Sequence, residues 1–279
     1  MKAILLTLLT SCLLLTGCSQ KEAPETSKNK LESILDSGKL TVTLSPDYPP
    51  MEFLDKNGNP VGSDVALAQF IADELGVELV IETMEFGATY TALDFDKADL
   101  SISGYGWQQD RQEAYELSIA YNNTEDSESS CQGLIIRAED DDKYQTLTDF
   151  SGTKVAAQVN SIQEAYTTAQ IPDVQLESVQ TIDVAMMSLA TKKVDAVAIS
   201  CNVAKGYELS DSLLKKALPE FDLGDDALHP GNYILAKKGE TELIEKVNEI
   251  LEKVNNQKLY ETWDKEAKDL AKTMGINFE

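Results

Sequence analysis

The stretch DVALAQFIADELGVELVIE, residues 64–82, shows the pattern that decides the fold. Asp64 is a residue type that caps helices, and the apolar residues after it recur at the three- and four-residue spacing of a helix with one buried face. Gly76 is a residue type that ends helices. Residues 78–82 contain Leu79, Val80 and Ile81, and such a short apolar run with β-branched residues is typical of a strand. The stretch therefore predicts a helix followed directly by a strand.

Strands and helices alternate on both sides of this stretch. In the first half we predict strands at 40–44, 78–82 and 100–103 and helices at 65–75 and 88–95. In the second half, after an acidic, serine-rich stretch, we predict strands at 133–138, 155–158, 174–179 and 196–200, and helices at 161–169 and 182–190. This order is typical of parallel sheets with helices on their faces. The sequence therefore predicts two α/β lobes.

The C-terminal segment repeats neither lobe. It contains a predicted strand at 233–236 and amphipathic helices at about 240–255 and 259–272. Two lobes with leftover terminal elements predict a chain that crosses between the lobes twice, near residues 122–131 and 228–232.

The first 17 residues have the composition of a secretion signal. A basic Lys2 precedes an apolar stretch at 4–15, which is too short to span a bilayer as a mature helix. The L-T-G-C ending at 15–18 resembles the lipobox of bacterial lipoproteins, in which the signal is cut before the cysteine. The alternative is an ordinary signal peptide with a chance cysteine. We expect a signal peptide at 1–17, a lipid on Cys18, and a flexible tether over 18–30.

Charge and hydropathy exclude several kinds of partner. The 48 acidic and 24 basic residues give a net charge of −24, which disfavours nucleic acids and anionic lipid surfaces. After the signal, no apolar run approaches the roughly 20 residues of a transmembrane helix. We therefore expect contact with the membrane through the lipid alone.

Two of the four cysteines remain in the mature chain. Cys12 lies in the signal and Cys18 is the lipidation candidate, which leaves Cys131 and Cys201. Outside the cytoplasm such a pair suggests a disulfide, and two separate thiols are the alternative. With the single histidine, His229, they form too poor a ligand set for structural zinc, and we expect neither a metal nor a cofactor.

Several motifs in order along the chain point to a known family. They are LSPDYPPMEF at 44–53, VGSDV at 61–65, KADLSISG at 97–104 followed by Arg111, SGTKV at 151–155, KVDA at 193–196 and KKG at 237–239. Together they resemble the extracellular solute-binding proteins that serve polar amino acid ABC importers. The resemblance implies a periplasmic-binding-protein-like α/β fold, with two Rossmann-like lobes joined by two crossover strands around a ligand cleft. Lobe 1 would comprise residues 31–122 and 232–279, and lobe 2 residues 123–231.

The resemblance also implies a ligand site. Arg111 matches the arginine that binds the ligand carboxylate, although taken alone it is a typical surface arginine. The helix N-terminus after strand 155–158 would bind the same carboxylate, although Ser161 with Glu164 also forms an ordinary capping box. The implied ligand contacts are Tyr48, Phe86, Ser103, Gly104, Tyr105, Gly106, Arg111, Asn160, Ser161 and Ser200. Trp107 is unusual for the family and either walls the pocket or covers the lobe surface.

Two departures from the family pattern concern the ligand ammonium. Ser200 stands where an acidic residue commonly holds it, and Gly104 and Gly106 replace hydroxyl residues. A buried cation without an acidic partner is costly. Either another acidic residue substitutes, or the ligand is not an ordinary zwitterionic amino acid; the glycines also leave room for a bulkier ligand.

The family's sheet order makes the strand after Cys131 and the strand before Cys201 antiparallel neighbours. The start of one then meets the end of the other. The resemblance therefore predicts a disulfide between these two cysteines.

The resulting hypothesis is a monomeric receptor, lipid-anchored on the extracellular face of the cytoplasmic membrane. It would capture an amino acid or a related small carboxylate, close around it and deliver it to an ABC permease. The alternative is an enzyme on the same scaffold, similar to a dehydratase of small cyclic acids. The single histidine and the lack of a recognisable nucleophile and base disfavour the enzyme.

Overall fold

The computed structural model describes residues 28–122 and 131–278. The predicted signal peptide, Cys18 and most of the predicted tether lie outside these residues. The acidic stretch at 123–130 and Glu279 lie outside them as well.

The described residues form short strands and helices in alternation. The strands are β1 (Lys39–Leu44), β2 (Asp47–Tyr48), β3 (Glu52–Leu54), β4 (Pro60–Val61), β5 (Glu78–Thr83), β6 (Leu100–Tyr105), β7 (Tyr115–Leu117), β8 (Gln132–Arg137), β9 (Lys154–Gln158), β10 (Gln175–Val179), β11 (Ala196–Ser200), β12 (Leu214–Glu220) and β13 (Tyr233–Lys237). The α-helices are α1 (Lys30–Ser37), α2 (Ser63–Leu75), α3 (Phe86–Asp94), α4 (Gln109–Ala114), α5 (Ile162–Gln170), α6 (Ile182–Ala190), α7 (Cys201–Ser210), α8 (Thr241–Gln257) and α9 (Leu259–Lys272). Short 3₁₀ helices cover Ala138–Lys143, Leu147–Phe150 and Gly224–Leu228.

Two five-stranded sheets share one strand order. The first runs β5-β1-β6-β13-β7 and the second β10-β9-β11-β8-β12. In each, three parallel strands are followed by an antiparallel strand and by a fifth strand antiparallel to that one. We call the elements around the first sheet lobe 1 and those around the second lobe 2. The predicted two-lobed α/β fold is confirmed.

The quoted helix buries the face that its spacing predicts. Leu67, Ala68 and Ile71 are fully buried, and they belong to a core cluster with the inward face of α8. Burying a leucine or isoleucine side chain contributes about 1.5–3 kcal/mol. The prediction for Asp64 is wrong: α2 begins at Ser63, its cap position is Gly62, and the Asp64 carboxylate is buried and bonded to distant partners.

The sequence analysis missed helix α1. Asn29 and Glu32 form a capping box at its start, and Gly38 ends it in the left-handed conformation. An Asn three residues before a Glu, followed by an apolar residue, was the signal for it. The predicted tether therefore extends at most to Asn29.

The two crossovers lie side by side. Tyr121 and Asn232 form an antiparallel bridge, each backbone N–H donating to the other's carbonyl at 2.8–2.9 Å. The side chain of Asn122 donates to that of Asn232 at 2.9 Å. The point where the chain leaves lobe 1 is thus bonded to the point where it returns.

The predicted disulfide between Cys131 and Cys201 is confirmed. Gln132 and Ser200 pair in the antiparallel ladder of β8 and β11, which brings the two cysteine Cα atoms to 5.3 Å. The bond closes a sequence separation of 70 residues at the end of β11.

We expect reduction of this disulfide to lower the free energy of unfolding by about 2–4 kcal/mol, since the cross-link restricts the unfolded chain. Urea unfolding with and without reductant measures the change. The Cys131→Ser/Cys201→Ser variant is the control, and its stability must not respond to reductant. Equal stability of the oxidised and reduced wild-type protein would contradict the expectation.

Candidate functional site

A cavity of about 300 Å³ lies between the two lobes. Lobe 1 and the first crossover contribute Tyr48, Met51, Glu52, Phe86, Ser103, Gly104, Gly106, Arg111, Asn122, Asp264 and Lys268. Lobe 2 contributes Gln132, Gln158, Ser161, Ile162, Gln163, Ser200 and Asn202. Eight of the ten predicted contact residues line this cavity; Tyr105 and Asn160 do not.

Arg111 is a buried cation held by neutral groups. Its guanidinium donates to the carbonyls of Gly106 at 2.6 Å and Asn160 at 3.4 Å. It lies 5.2 Å and 5.8 Å from the ring centres of Tyr105 and Tyr90. Burial lowers the pKa of Arg111. A guanidinium has five N–H donors, and in the described part of the chain this one forms no ion pair with a carboxylate, so an anion is the group that the site lacks.

Contacts across the cleft hold the lobes together. Tyr48 of lobe 1 donates from its hydroxyl to Ser200 Oγ of lobe 2 at 2.7 Å, and burial raises the pKa of Tyr48 to about 12. Asp47 accepts from the Gln158 side chain and from the backbone N–H of Ile182, both at 2.9 Å. Burial raises the pKa of Asp47, although these donors oppose the rise. The described arrangement is therefore a closed one.

The N-terminus of α5 faces the cavity with Ser161 as its cap. Ser161 Oγ accepts from the Glu164 N–H at 3.1 Å, as predicted. The second half of the predicted capping box is wrong, because the Glu164 carboxylate accepts from the N–H of Asn160. Asn160 adopts a positive φ of 63°, and its carbonyl accepts from Arg111. Its side chain is not part of the cavity lining.

The third predicted strand, at 100–103, is longer in the structure. β6 continues to Tyr105, two residues beyond the predicted end. The N–H of Gly104 donates to Asp64, and its carbonyl accepts from the Asn232 side chain. Both backbone groups of Gly104 therefore have partners within the protein, and its carbonyl keeps a second lone pair.

Tyr105 is fully buried inside lobe 1, so the prediction that it contacts the ligand does not agree with its position. Its hydroxyl bonds to the side chains of Ser101 and Thr89, and its ring lies under Arg111. Tyr105 therefore supports the arginine.

Trp107 stacks on His229 with ring centres 4.1 Å apart. His229 lies in the predicted second crossover. Trp107 is half-buried and does not line the cavity between the lobes, but it lines a smaller cavity of about 90 Å³ together with His229 and Ile162. Both alternatives for Trp107 stay predictions.

Sequence analysis missed Glu52, Gln158 and the pair of Asp264 with Lys268. Asp264 and Lys268, whose side chains lie 2.9 Å apart, come from the C-terminal helix α9. Glu52 is 1% exposed and accepts from Ser103 Oγ at 2.8 Å. An acidic residue between the apolar Met51 and Phe53 was the available signal for Glu52.

Two α/β lobes that close over a polar cavity, with an arginine that has no carboxylate partner among the described residues, define a two-lobed solute-binding protein. Residues 40–266 match the family of bacterial extracellular solute-binding proteins, family 3, and the chain belongs to that family.

Two proteins with similar sequences and one solved structure are similar to this chain. The chain is 28% identical to an arginine-binding extracellular protein of Bacillus subtilis, covering 94% of this chain and 98% of that one. It is 32% identical to the solved structure of an amino acid ABC transporter substrate-binding protein from Streptococcus pneumoniae bound to L-arginine, with a TM-score of 0.78 and coverage of 86% and 98%. It is also 29% identical to a cyclohexadienyl dehydratase of Pseudomonas aeruginosa over 54% of this chain and 53% of that one.

We expect Asp47→Ala to shift the ligand-free protein towards an open form. The change removes two hydrogen bonds to a carboxylate across the cleft, and such bonds contribute about 1.5–3 kcal/mol each. Small-angle X-ray scattering should show a larger radius of gyration than for the wild type.

Asp55→Ala is the matched control, since Asp55 also accepts backbone N–H groups but only within its own turn. An Asp47→Ala radius of gyration equal to that of this control would show that the contact does not hold the lobes closed.

Proposed function

We propose that this protein is the amino acid-binding component of an ABC importer, which closes its lobes around the ligand and delivers it to a membrane permease. The observation that carries the proposal is Arg111, a buried guanidinium in the cavity wall without a carboxylate partner in the described residues. A ligand carboxylate supplies that partner in bidentate geometry. The backbone N–H groups of Ile162 and Gln163 at the start of α5, on the opposite lobe, suit the same anion.

L-arginine is the ligand that we propose first. It is the ligand in the similar Streptococcus pneumoniae structure. Tyr48 and Phe86 line the cavity, and aromatic faces attract guanidinium groups. The net charge of −24 also favours the approach of a cationic solute.

The domain organisation that we propose follows the two sheets. Residues 31–122 and 232–279 form lobe 1, residues 123–231 form lobe 2, and the crossovers near 122–131 and 228–232 form the hinge. The bridge between Tyr121 and Asn232 supports this division, because it is where the two connections meet.

We also propose that the protein is a monomer held at the outer face of the cytoplasmic membrane by a lipid on Cys18, after removal of residues 1–17. The L-T-G-C sequence supports this proposal. Among residues 28–122 and 131–278, no helix is both long and apolar enough to cross a bilayer.

We expect L-arginine to raise the melting temperature of the wild-type protein and Arg111→Ala to bind it at least about 30-fold more weakly, since losing one partner of a buried charge pair costs about 2–5 kcal/mol. Isothermal titration calorimetry measures the affinities. Lys97→Ala, which removes an exposed cation of lobe 1, is the control and should bind like the wild type. If none of the twenty amino acids shifts the melting temperature, the proposed function is wrong.

We further propose that the protein does not transform its ligand. Incubation with L-arginine, and separately with a small carboxylic acid that contains a cyclohexadiene ring, should return each compound unchanged by mass spectrometry. A product that accumulates in proportion to protein concentration would instead support the dehydratase-like alternative.

A further inference from the structure

The C-terminal residues of the chain reach from lobe 1 to lobe 2. Residues 273–278, which we call the C-terminal tail, follow helix α9. The backbone N–H of Asn277 donates to Ser210 Oγ at 2.7 Å. Ser210 is the last residue of α7, a helix that packs on β8, β11 and β12 of lobe 2. The tail therefore connects the lobes at a point separate from the two crossovers.

Gly206 of α7 makes room for the tail. A Cβ on Gly206 would lie 2.6 Å from Cε1 of Phe278 and 3.0 Å from its Cδ1, and the shorter distance is one that real Cβ atoms do not show. Glycine is less favourable than alanine inside a helix, and Gly206 has no positive φ that would require it. The contact with the Phe278 ring is therefore the feature that requires a glycine here.

The tail is fixed to lobe 1 by more contacts than to lobe 2. The carbonyl of Thr273 accepts from Lys56 Nζ at 3.0 Å. Other tail side chains pack on a core cluster of lobe 1; the tail residues are Met274, Ile276 and Phe278, and the buried cluster residues are Phe53, Ala267 and Ala271. When the lobes separate, the tail therefore stays with lobe 1 and loses its contacts with Gly206 and Ser210.

Helices α7 and α9 both begin beside the first crossover. Cys201 at the start of α7 is bonded to Cys131, and the ring of Tyr260 in the first turn of α9 lies 5.2 Å from that of Tyr121. At 1.5 Å per residue, α7 extends about 15 Å from there to Ser210, and α9 extends about 20 Å to the tail. A bend at the crossovers separates two such helices most at their far ends, where the tail joins them.

The same two helices form part of the cavity wall. Asn202 comes from α7, and Asp264 and Lys268 come from α9. The residues that join the tail to α7 do not line the cavity. Their contacts are therefore the same whether the cleft is empty or occupied.

We propose that the C-terminal tail is a strap that holds the two lobes closed when no ligand is bound. It holds them through the ring of Phe278 against Gly206 and through the hydrogen bond from Asn277 to Ser210. The tail separates from α7 before a solute enters or leaves the cleft. The inference goes beyond the proposed function, since it holds for any solute that the closed cleft encloses.

The first test measures the distance between nitroxide spin labels on Glu82→Cys of lobe 1 and Met187→Cys of lobe 2, which are both exposed, in the ligand-free protein. The wild type should populate the label distance of the closed structure. Phe278→Ala should lower the ratio of closed to open molecules about 5- to 10-fold, because the partly buried ring is lost. Phe95→Ala removes a ring of lobe 1 that is 74% exposed, and as the matched control it should leave the ratio unchanged.

The second test uses Gly206→Ala, which favours helix α7 itself but displaces the Phe278 ring. Alone, it should lower the ratio of closed to open molecules about as much as Phe278→Ala does. In the Phe278→Ala background it should have no further effect, because the smaller side chain leaves room for the added methyl group. Melting temperatures show that each variant folds.

The third test is stopped-flow binding of L-arginine. Because the strap contacts are the same in the empty and occupied closed forms, Phe278→Ala should speed association and dissociation by the same factor and leave Kd nearly unchanged. A residue of the ligand site would instead change Kd. Faster dissociation with unchanged association contradicts a strap that closes the empty cleft.

The outcomes separate the strap from the proposed function. A ligand-free wild type that lacks the closed distance overturns the strap, and so does Phe278→Ala with the wild-type ratio. Additive effects of Gly206→Ala and Phe278→Ala also overturn it. Each of these results leaves the proposed function standing. If the label distances behave as expected but no amino acid binds, the strap stands and the proposed function fails.

Discussion

The buried carboxylate of Asp64 joins four parts of the chain. Its donors come from strand β6, from Tyr121 at the first crossover and from Tyr260 in the C-terminal helix α9, while Asp64 itself belongs to α2. A buried charge is costly unless its hydrogen bonds are satisfied, so all of these elements must be in place for the residue to be stable. The position of β6, and with it the position of Arg111 and the cavity wall, depends on this arrangement.

The cleft combines two groups that the protein leaves incompletely paired. The Arg111 guanidinium donates to a backbone carbonyl and lies against aromatic rings. Glu52 accepts from the Ser103 hydroxyl, and its second oxygen has no donor among the described residues. Burying a polar group without full partners costs free energy, and a ligand that supplies the missing partner stabilises the closed state in which it is bound.

Local sequence patterns predicted the helices and strands better than they predicted the contacts of the residues around the cleft. Spacing and glycine positions were sufficient for the alternation of strands and helices and for the buried face of α2, because those features depend on neighbours in sequence. The role of Asp64 depends on hydroxyls 57 and 196 residues away, and a residue suited to a helix cap is equally suited to accept from them. The same limit explains Glu164, whose carboxylate turned to Asn160, and Tyr105, whose ring lies beneath the arginine. The family resemblance identified Arg111 and the disulfide, which no local pattern distinguishes.

The bridge between Tyr121 and Asn232 affects the motion of the lobes. Tyr121 is bonded through its backbone to the returning crossover and through its hydroxyl to Asp64 in the core of lobe 1. Both connections are therefore fixed to lobe 1 at the level of this bridge. In the proposed closure, the level of lobe 1 that carries Tyr121 stays fixed, and with it Asp64, strand β6 and the side of the cavity that carries Arg111.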